Sequence, residues 1–418
     1  MSSTGDKVRI KHAGFEYSGI LLESTDDNIY VLKLSNGYNV GLPKGNSKVT
    51  VTGKLPITKL PELKLEKNIK LSNVSLVSTG GTITSRVDYR TGAVHPITKP
   101  AELLSQIPEL KKIANISVTP AMSKFSEEFS PDDWSKLAGF VGRELNKENV
   151  RGVIVTHGTD TLHYTAAALS FALEGLGKPV AIVGGQRSSD RGSFDGAMNL
   201  ICGTHYANSE IAEVAIVLHG TSSDDYCIAN PGTKTKKMHT TMRNTFRPIN
   251  SMPYAKLFKT GKIEKLRGSN LRHAGEVNVQ SQFEDKVALI KYHPGLSPKV
   301  LDFYVKEGYR GVIIEGTGLG HVSSETWLKS ITAATKKMFV GMTSQANYGK
   351  VDPYVYSTGR DLFNHGVVYL GDMLAETAIV KLSWVLGQEK DKDKVRDLMT
   401  SNLRGELSEK SVPNGFLY

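Results

Sequence analysis

The 418-residue chain carries 52 Lys and Arg against 42 Asp and Glu, a formal net charge of +10, with 39% hydrophobic and 22% charged residues. This is the balance of an ordinary globular protein with apolar material for two or three domain cores. No run of about 18 apolar residues occurs and the opening MSSTGDKVRIKH has no secretory apolar stretch, so the sequence reads as cytoplasmic with no membrane contact. Two cysteines, Cys202 and Cys227, exclude a disulfide framework and a cysteine metal cluster, and their apolar surroundings mark both as core.

Residues 6–53 alternate short β-branched runs (VRIKH, YSGILLES, NIYVLKL, YNVGL, KVTVTG) with turn residues, which predicts a small β barrel over residues 1–54. The stretch LPITKLPELKLEKNIK (55–70) has the composition of a linker. Strand–helix alternation follows. Apolar runs at 74–78, 152–157, 179–184 and 213–218 predict strands, with helices between them over 131–145, 161–175 and 194–207. Ser130 can cap the first helix, Pro131 suits its first turn, and Asp132 and Asp133 favour its dipole. Continuous apolar strands separated by helices mean a parallel sheet covered on both faces, placing a first α/β domain at 71–270. After a connector at 271–285, a second, shorter series runs from 286 to 418: VALIKY, GVIIEG (311–316), MFVGMT (338–343), then helices over 371–386 and 392–401. The fold class is therefore α/β, two doubly wound parallel sheets preceded by the β barrel.

The charge is unevenly distributed. Between Pro231 and His273 stand Lys234, Lys236, Lys237, Arg243, Arg247, Lys256, Lys259, Lys262, Lys265, Arg267 and Arg272 against the single acid Glu264, so this segment carries the whole net charge. Such a band suits a polyanion or an acidic partner surface, and equally a solvated connector. Composition leaves both readings open.

In an open α/β sheet, ligands bind beyond the carboxyl ends of the strands. Two predicted strands end in matching cargo: Thr79-Gly80-Gly81-Thr82 after SLVS, and His157-Gly158-Thr159-Asp160-Thr161 after GVIVT. Each puts a small hydroxyl after glycine, where backbone N–H groups can approach a ligand. Either motif alone is commonly a plain turn or a helix cap; the pair at equivalent strand ends points to a catalytic crevice. No P-loop and no H-E-x-x-H motif is present, so no metal is expected in this chain. GTGLGH (316–321) imitates a dinucleotide loop but has His321 at the third glycine position.

TGGTI (79–83) and HGTDT (157–161) resemble the two signature motifs of the bacterial-type L-asparaginase and glutaminase family, and the likeness extends over about residues 71–418 through KFSEEFSPDDW and GGQRSSDRGSFDGAMNL. The resemblance implies amide hydrolysis with release of ammonia. Thr82 would be the nucleophile, activated through a relay in which Tyr89 is the family's partner. Thr159, Asp160 and Lys237 would form a second set, in which Lys237 takes a proton from Thr159 or orients a water. Which threonine attacks first stays open. Ser126 would bind the substrate carboxylate, while Glu127 and Asp160 would hold its amino group. Backbone N–H groups of the 80–82 and 158–160 turns would stabilise an oxyanion. GTGLGH would then line the second domain near a neighbouring subunit.

The β barrel placed before this unit, with HGTSSDDYC and VYLGDMLAETAIVKLSWVLG, resembles the GatD family, the D subunits of archaeal glutamyl-tRNA(Gln) amidotransferases. One departure is Ala375, where proline would be expected at the helix entrance. This resemblance implies a glutaminase that takes glutamine or asparagine and supplies ammonia to the E subunit of the amidotransferase, which acts on Glu-tRNA(Gln) with ATP and Mg²⁺. It also implies a homodimer core flanked by two partner chains, a heterotetramer. The alternatives are a free-standing L-asparaginase and an RNA-binding module on an inactive amidase scaffold.

Overall fold

The computed structural model describes residues 2–54, 68–80, 85–87, 94–96, 107–187 and 192–410. The five N-terminal strands, β1 (Asp6–His12), β2 (Phe15–Leu22), β3 (Ile29–Leu34), β4 (Asn39–Pro43) and β5 (Ser47–Lys54), form one antiparallel sheet in the order β4-β3-β2-β1-β5. Alternation sends Val8, Ile10, Leu21, Leu32 and Leu42 to one face, and all are buried. A flat sheet on its own would leave such a face in water, so this one curls around its own small core.

The next unit begins with β6 (Asn73–Ser78), a short hairpin of β7 (Ser85–Val87) and β8 (Val94–Pro96), and β9 (Asn115–Pro120). It continues through α1 (Pro131–Leu145), β10 (Val150–Thr156), α2 (Leu162–Ala172), β11 (Leu173–Glu174), β12 (Val180–Val183), α3 (Gly196–Ala207) and β13 (Val214–His219). The strands β14 (Cys227–Pro231), β15 (Thr235–Lys237), β16 (Phe246–Pro248), β17 (Ala255–Leu257) and β18 (Ile263–Lys265) complete it. The main sheet has the order β18-β17-β14-β13-β12-β10-β6-β9. It is parallel from β9 through β6, β10 and β12 to β13, of which all but the edge strand β9 are buried runs, and then continues antiparallel through β14, β17 and β18. The sequence reading of a parallel sheet did not place that extension: β14 ends where the basic segment begins, and β17 and β18 are three-residue strands within it that lack continuous apolar patterning. Two cores cover the sheet faces, and the free thiols Cys202 and Cys227 lie in one of them.

The chain leaves β6 toward β9 on one side and returns to lay β10 on the other. The crevice above β6 and β10 is thus the switch point of the sheet, where loops diverge and leave room for a ligand. Ser130 caps α1 in a full capping box with Asp133.

The last unit pairs β19 (Asn278–Val279) with β11 and then builds a parallel sheet in chain order from β20 (Val287–Lys291), β21 (Gly311–Gly316), β22 (Phe339–Ser344) and β23 (Val368–Tyr369). Helices α4 (Lys299–Lys306), α5 (Ser324–Thr335), α6 (Ser357–Asn364), α7 (Ala375–Gln388) and α8 (Lys392–Thr400) accompany it. Helix α7 begins at Ala375 rather than at Gly371 because Gly371 turns the chain at φ +59°. The two α/β units meet where α2 packs on α7: Ala167 and Ala168 allow close approach, and Phe171 stacks on Trp384 at 5.7 Å. Among the described residues no helix is long and apolar enough to cross a membrane.

Lys381 of α7 and Glu406 are both fully buried and 2.6 Å apart, and the ammonium also donates to Ser401 O. Removing one member leaves a buried charge unpaired. Lys381→Met is therefore expected to lose about 3–5 kcal/mol in urea denaturation, and a loss indistinguishable from zero would contradict this account of the C-terminal closure.

Candidate active site

Beyond β6, Thr79 is fully buried, and both its N–H and its Oγ1 donate to Thr156 O, at 3.2 and 2.8 Å, which binds the two strand ends together. Gly80 follows at φ +100°; a Cβ there would lie 3.0 Å from Lys124 O, so the turn requires glycine twice over. Lys124 N–H donates to Thr79 O at 3.1 Å, and its ammonium bridges both oxygens of Asp133, at 2.8 and 2.9 Å. Burial pushes the Asp133 carboxyl up, but Lys124 and Ser130 together hold it below the usual range. The segment 121–130 is in this way fixed beside the β6 turn.

That segment carries Ser126, which is buried, and Glu127, which is exposed. Ser126 lies against the second turn: a Cβ on Gly158 would come within 2.8 Å of Ser126 Cβ and 2.9 Å of its Oγ. Thr161 Oγ1 donates to Ser126 O. Beneath the turn His157 is fully buried. Its Nδ1 faces Gly158 O at 2.7 Å and must donate, leaving Nε2, 2.9 Å from Thr165 Oγ1, as acceptor. Trp134 Nε1 donates to the same hydroxyl at 3.1 Å. A neutral histidine satisfies every member of this chain, and burial depresses its pKa to about 4.

Thr159 and Asp160 project from this turn toward the hairpin of β15 and β16. Lys237, at the end of β15, places its Nζ 3.0 Å from Thr159 Oγ1 and 2.6 Å from Asp160 Oδ1. On the other side of the hydroxyl stands Gln186 Oε1, at 3.5 Å. Gln186 follows β12, and its loop is held by Asp195, whose buried carboxylate accepts from Gln186 N–H at 3.0 and 3.1 Å and from Arg187 N–H at 3.0 Å.

Of the residues expected from sequence, Thr159, Asp160 and Lys237 touch one another, and Ser126 borders their turn with Glu127 beside it. Thr82 and Tyr89 lie outside the described residues. Sequence reasoning missed Gln186 and Asp195, although both stand in the GGQRSSDRGSFDGAMNL segment it singled out. The basic segment, whose role composition left open, spends much of its charge on ion pairs within the chain. Lys234 pairs with Asp372, Lys236 with Glu376, Lys237 with Asp160, Arg243 and Lys259 with Asp224, Lys262 with Glu264 and Arg272 with Glu210. Much of the charge ties distant segments together, and composition had no means of placing those acids.

Three family models match the chain: asparaginase, N-terminal, over residues 73–269; glutaminase/asparaginase C-terminal domain over 286–399; and GatD N-terminal domain over 2–52. The D subunit of the glutamyl-tRNA(Gln) amidotransferase of Pyrococcus furiosus is 46% identical over 99% of this chain and 97% of its own length. The chain belongs to the GatD family of glutamyl-tRNA(Gln) amidotransferase subunits. The Thermococcus kodakarensis member of this family is 45% identical, covering 97% of this chain and 94% of its own. Among solved structures, the GatD fold is similar to the thermostable L-asparaginase from T. kodakarensis. That likeness has a TM-score of 0.74 and 27% identity, over 81% of this chain and 100% of that one. L-asparaginase I from Vibrio cholerae gives a TM-score of 0.70 and 26% identity, over 81% and 99%.

A second buried histidine, His163, is also depressed to about 4, by burial first and by Lys236 and Lys237, against the opposing pull of Glu376. Both histidines are neutral in the fold, so unfolding takes up protons between about pH 4 and the ordinary pKa of 6.5, and stability falls as pH drops through that window. Urea midpoints measured from pH 7 to 4 should decline, and His157→Gln should reduce the uptake by about one proton. An unchanged slope in that variant would contradict the assignment.

Proposed function

We propose that the chain is the amide-hydrolysing component of a tRNA-dependent amidotransferase, releasing ammonia from glutamine or asparagine for conversion of Glu-tRNA(Gln) to Gln-tRNA(Gln) on a partner chain. The observation that carries this reading is the Lys237 ammonium set between Thr159 Oγ1 and Asp160 Oδ1 at the switch point of a GatD family chain. On this reading the catalytic residues are Thr82, Thr159, Asp160 and Lys237, with Tyr89 activating Thr82 and Ser126 and Glu127 holding the substrate's charged end. The units we assign are a β domain at 1–54, a linker to 70, an amidase domain at 71–270 and a C-terminal domain from 286. The amidotransferase E subunit is the partner, ATP and Mg²⁺ belong to it, and two copies of each chain form the cytoplasmic complex.

The arrangement has a definite proton order. Lys237 donates to Thr159 Oγ1, so the threonine proton points to Gln186 Oε1. An ammonium cannot accept a proton; Lys237 becomes a base only after giving one up, for which the contact with Asp160 has to loosen. Asp160 is mostly exposed and faces the crevice mouth, so a substrate amino group can compete for its carboxylate. Substrate binding would thereby leave the ammonium free to pass one proton to water at the exposed Asp160 side, after which the neutral amine can take the Thr159 proton or orient a water. This couples occupancy to base formation, and it accords with the need of a hydroxyl nucleophile for an adjacent acceptor.

A free-standing L-asparaginase is the second reading, favoured by the solved neighbours that match 81% of the chain. Against it stands the match of residues 2–52 to the GatD N-terminal domain, which supports the amidotransferase reading. The two readings differ in what the purified chain does alone. Glutamine-dependent ammonia release should be low by itself and rise roughly 10- to 100-fold with the E subunit and Glu-tRNA(Gln). Full turnover of asparagine by the isolated chain, with no gain from the partner, would overturn the amidotransferase reading.

A further inference from the structure

One fully buried histidine is unused by the chemistry above. His219 ends β13 and stands between the Gln186 loop and the loop joining β15 to β16. Its Nδ1 lies 2.7 Å from Asn199 Oδ1. The Asn199 amide nitrogen donates to Gly184 O at 2.9 Å and toward Asp195 Oδ2 at 3.4 Å, both acceptors only, so the orientation of that amide is fixed and its Oδ1 can only accept. His219 Nδ1 therefore carries a proton. On the other side, His219 Nε2 is 3.1 Å from Asp224 Oδ1. Burial pushes the Asp224 carboxyl up, but His219, Lys259 and Arg243 keep it below the usual range, so this oxygen also only accepts. A neutral imidazole has one N–H and these two contacts need two. The imidazolium supplies both.

Each end of the relay reaches the candidate site. Asn199 shares Asp195 with the Gln186 and Arg187 N–H groups, and Gln186 Oε1 faces Thr159. Asp224 accepts from Arg243 Nη1 at 2.8 Å, and Arg243 Nη2 donates to Ser222 O; Arg243 lies in the loop that follows Lys237. The groups facing His219 are Asp195, Asp224 and Arg243, with Lys259 against Asp224 and the Cys227 thiol against Asn199 Oδ1.

We propose that His219, as an imidazolium, is a positioning residue that joins Asn199 to Asp224 and thereby fixes the Gln186 loop and the Lys237 hairpin against each other across Thr159. The inference rests on the amidase reading of that site. Burial favours the neutral ring, Arg243 adds to it, and Asp224 and Asp195 offset this only in part, so the ring yields its second proton more readily than a free imidazole and loses it as pH rises. Once it is lost, a nitrogen lone pair faces the Asp224 carboxylate and the tie opens.

The test uses the complete chain with its partner chain, measuring glutamine-dependent ammonia release in His219→Gln, in Asp224→Asn and in the double variant, with Thr159→Ala as control. Asp224 is half exposed, so its variant folds even if the buried one does not. We expect kcat to fall roughly tenfold in each single variant with KM within about twofold, and no further fall in the double variant, because both act on one chain of contacts. Wild-type kcat should show a decline with rising pH that His219→Gln lacks. In parallel, the nitrogen NMR spectrum of histidine-labelled chain should show His219 protonated at both nitrogens below that transition. Unchanged kcat in Asp224→Asn with a singly protonated His219 throughout, while Thr159→Ala abolishes turnover, would overturn the inference alone. Retained turnover in Thr159→Ala would overturn the site reading and the inference with it.

Discussion

The Lys237 ammonium is the contact on which the site depends, because it is the point where separately built segments converge. Thr159 and Asp160 come from the β10 turn and Lys237 from the β15 hairpin, with Gln186 behind the hydroxyl. Strand geometry explains how one short basic run serves two masters. Successive side chains on β15 point to opposite faces. Lys236 turns toward the C-terminal unit and pairs with Glu376 at 2.7 Å, while Lys237 turns toward Thr159. Just before the strand, Lys234 is almost completely buried and pairs with Asp372 at 2.5 Å. Burial pulls its proton affinity down, and Asp372 offsets that only in part. The second α/β unit thus places the hairpin of the first that carries Lys237.

This arrangement explains why the chemistry was legible in some places and hidden in others. The strand ends were readable because buried parallel strands are continuous apolar runs, and turns that approach a ligand need glycine. Gly80 and Gly158 both meet neighbouring atoms within 3.0 Å if given a Cβ. Helix α1 was readable to the residue, since Ser130 and Asp133 form its capping box and Pro131 takes its first position. Lys237 was not readable from its own surroundings. It sits among ten other bases, and its meaning comes from acids distant in sequence, which only a resemblance could anticipate. The antiparallel strands β14, β17 and β18 were not placed, and the helices α4 to α6 were missed, for a related reason: they are short, and tertiary packing rather than local pattern decides them.

The family assignment adds purpose to this geometry. The curled N-terminal sheet is covered by its own family model, and it touches the amidase unit beside the site. Tyr38 OH lies 2.8 Å from Ser193 Oγ, on the same loop as Asp195, which holds the Gln186 backbone. A contact made at the β domain therefore has a short physical route to the Thr159 hydroxyl. The buried neutral His157 holds the Gly158 carbonyl, which anchors the turn that presents Thr159.

The central claim is that Lys237 serves the reaction at Thr159 rather than merely balancing Asp160. The direct measurement is glutamine-dependent ammonia release by Lys237→Met, assembled with the partner chain and charged tRNA and checked for native circular dichroism. Loss of a group that moves or accepts a proton in the transition state predicts a fall of roughly 10²- to 10⁴-fold. A folded Lys237→Met variant that releases ammonia at the wild-type rate would contradict the account.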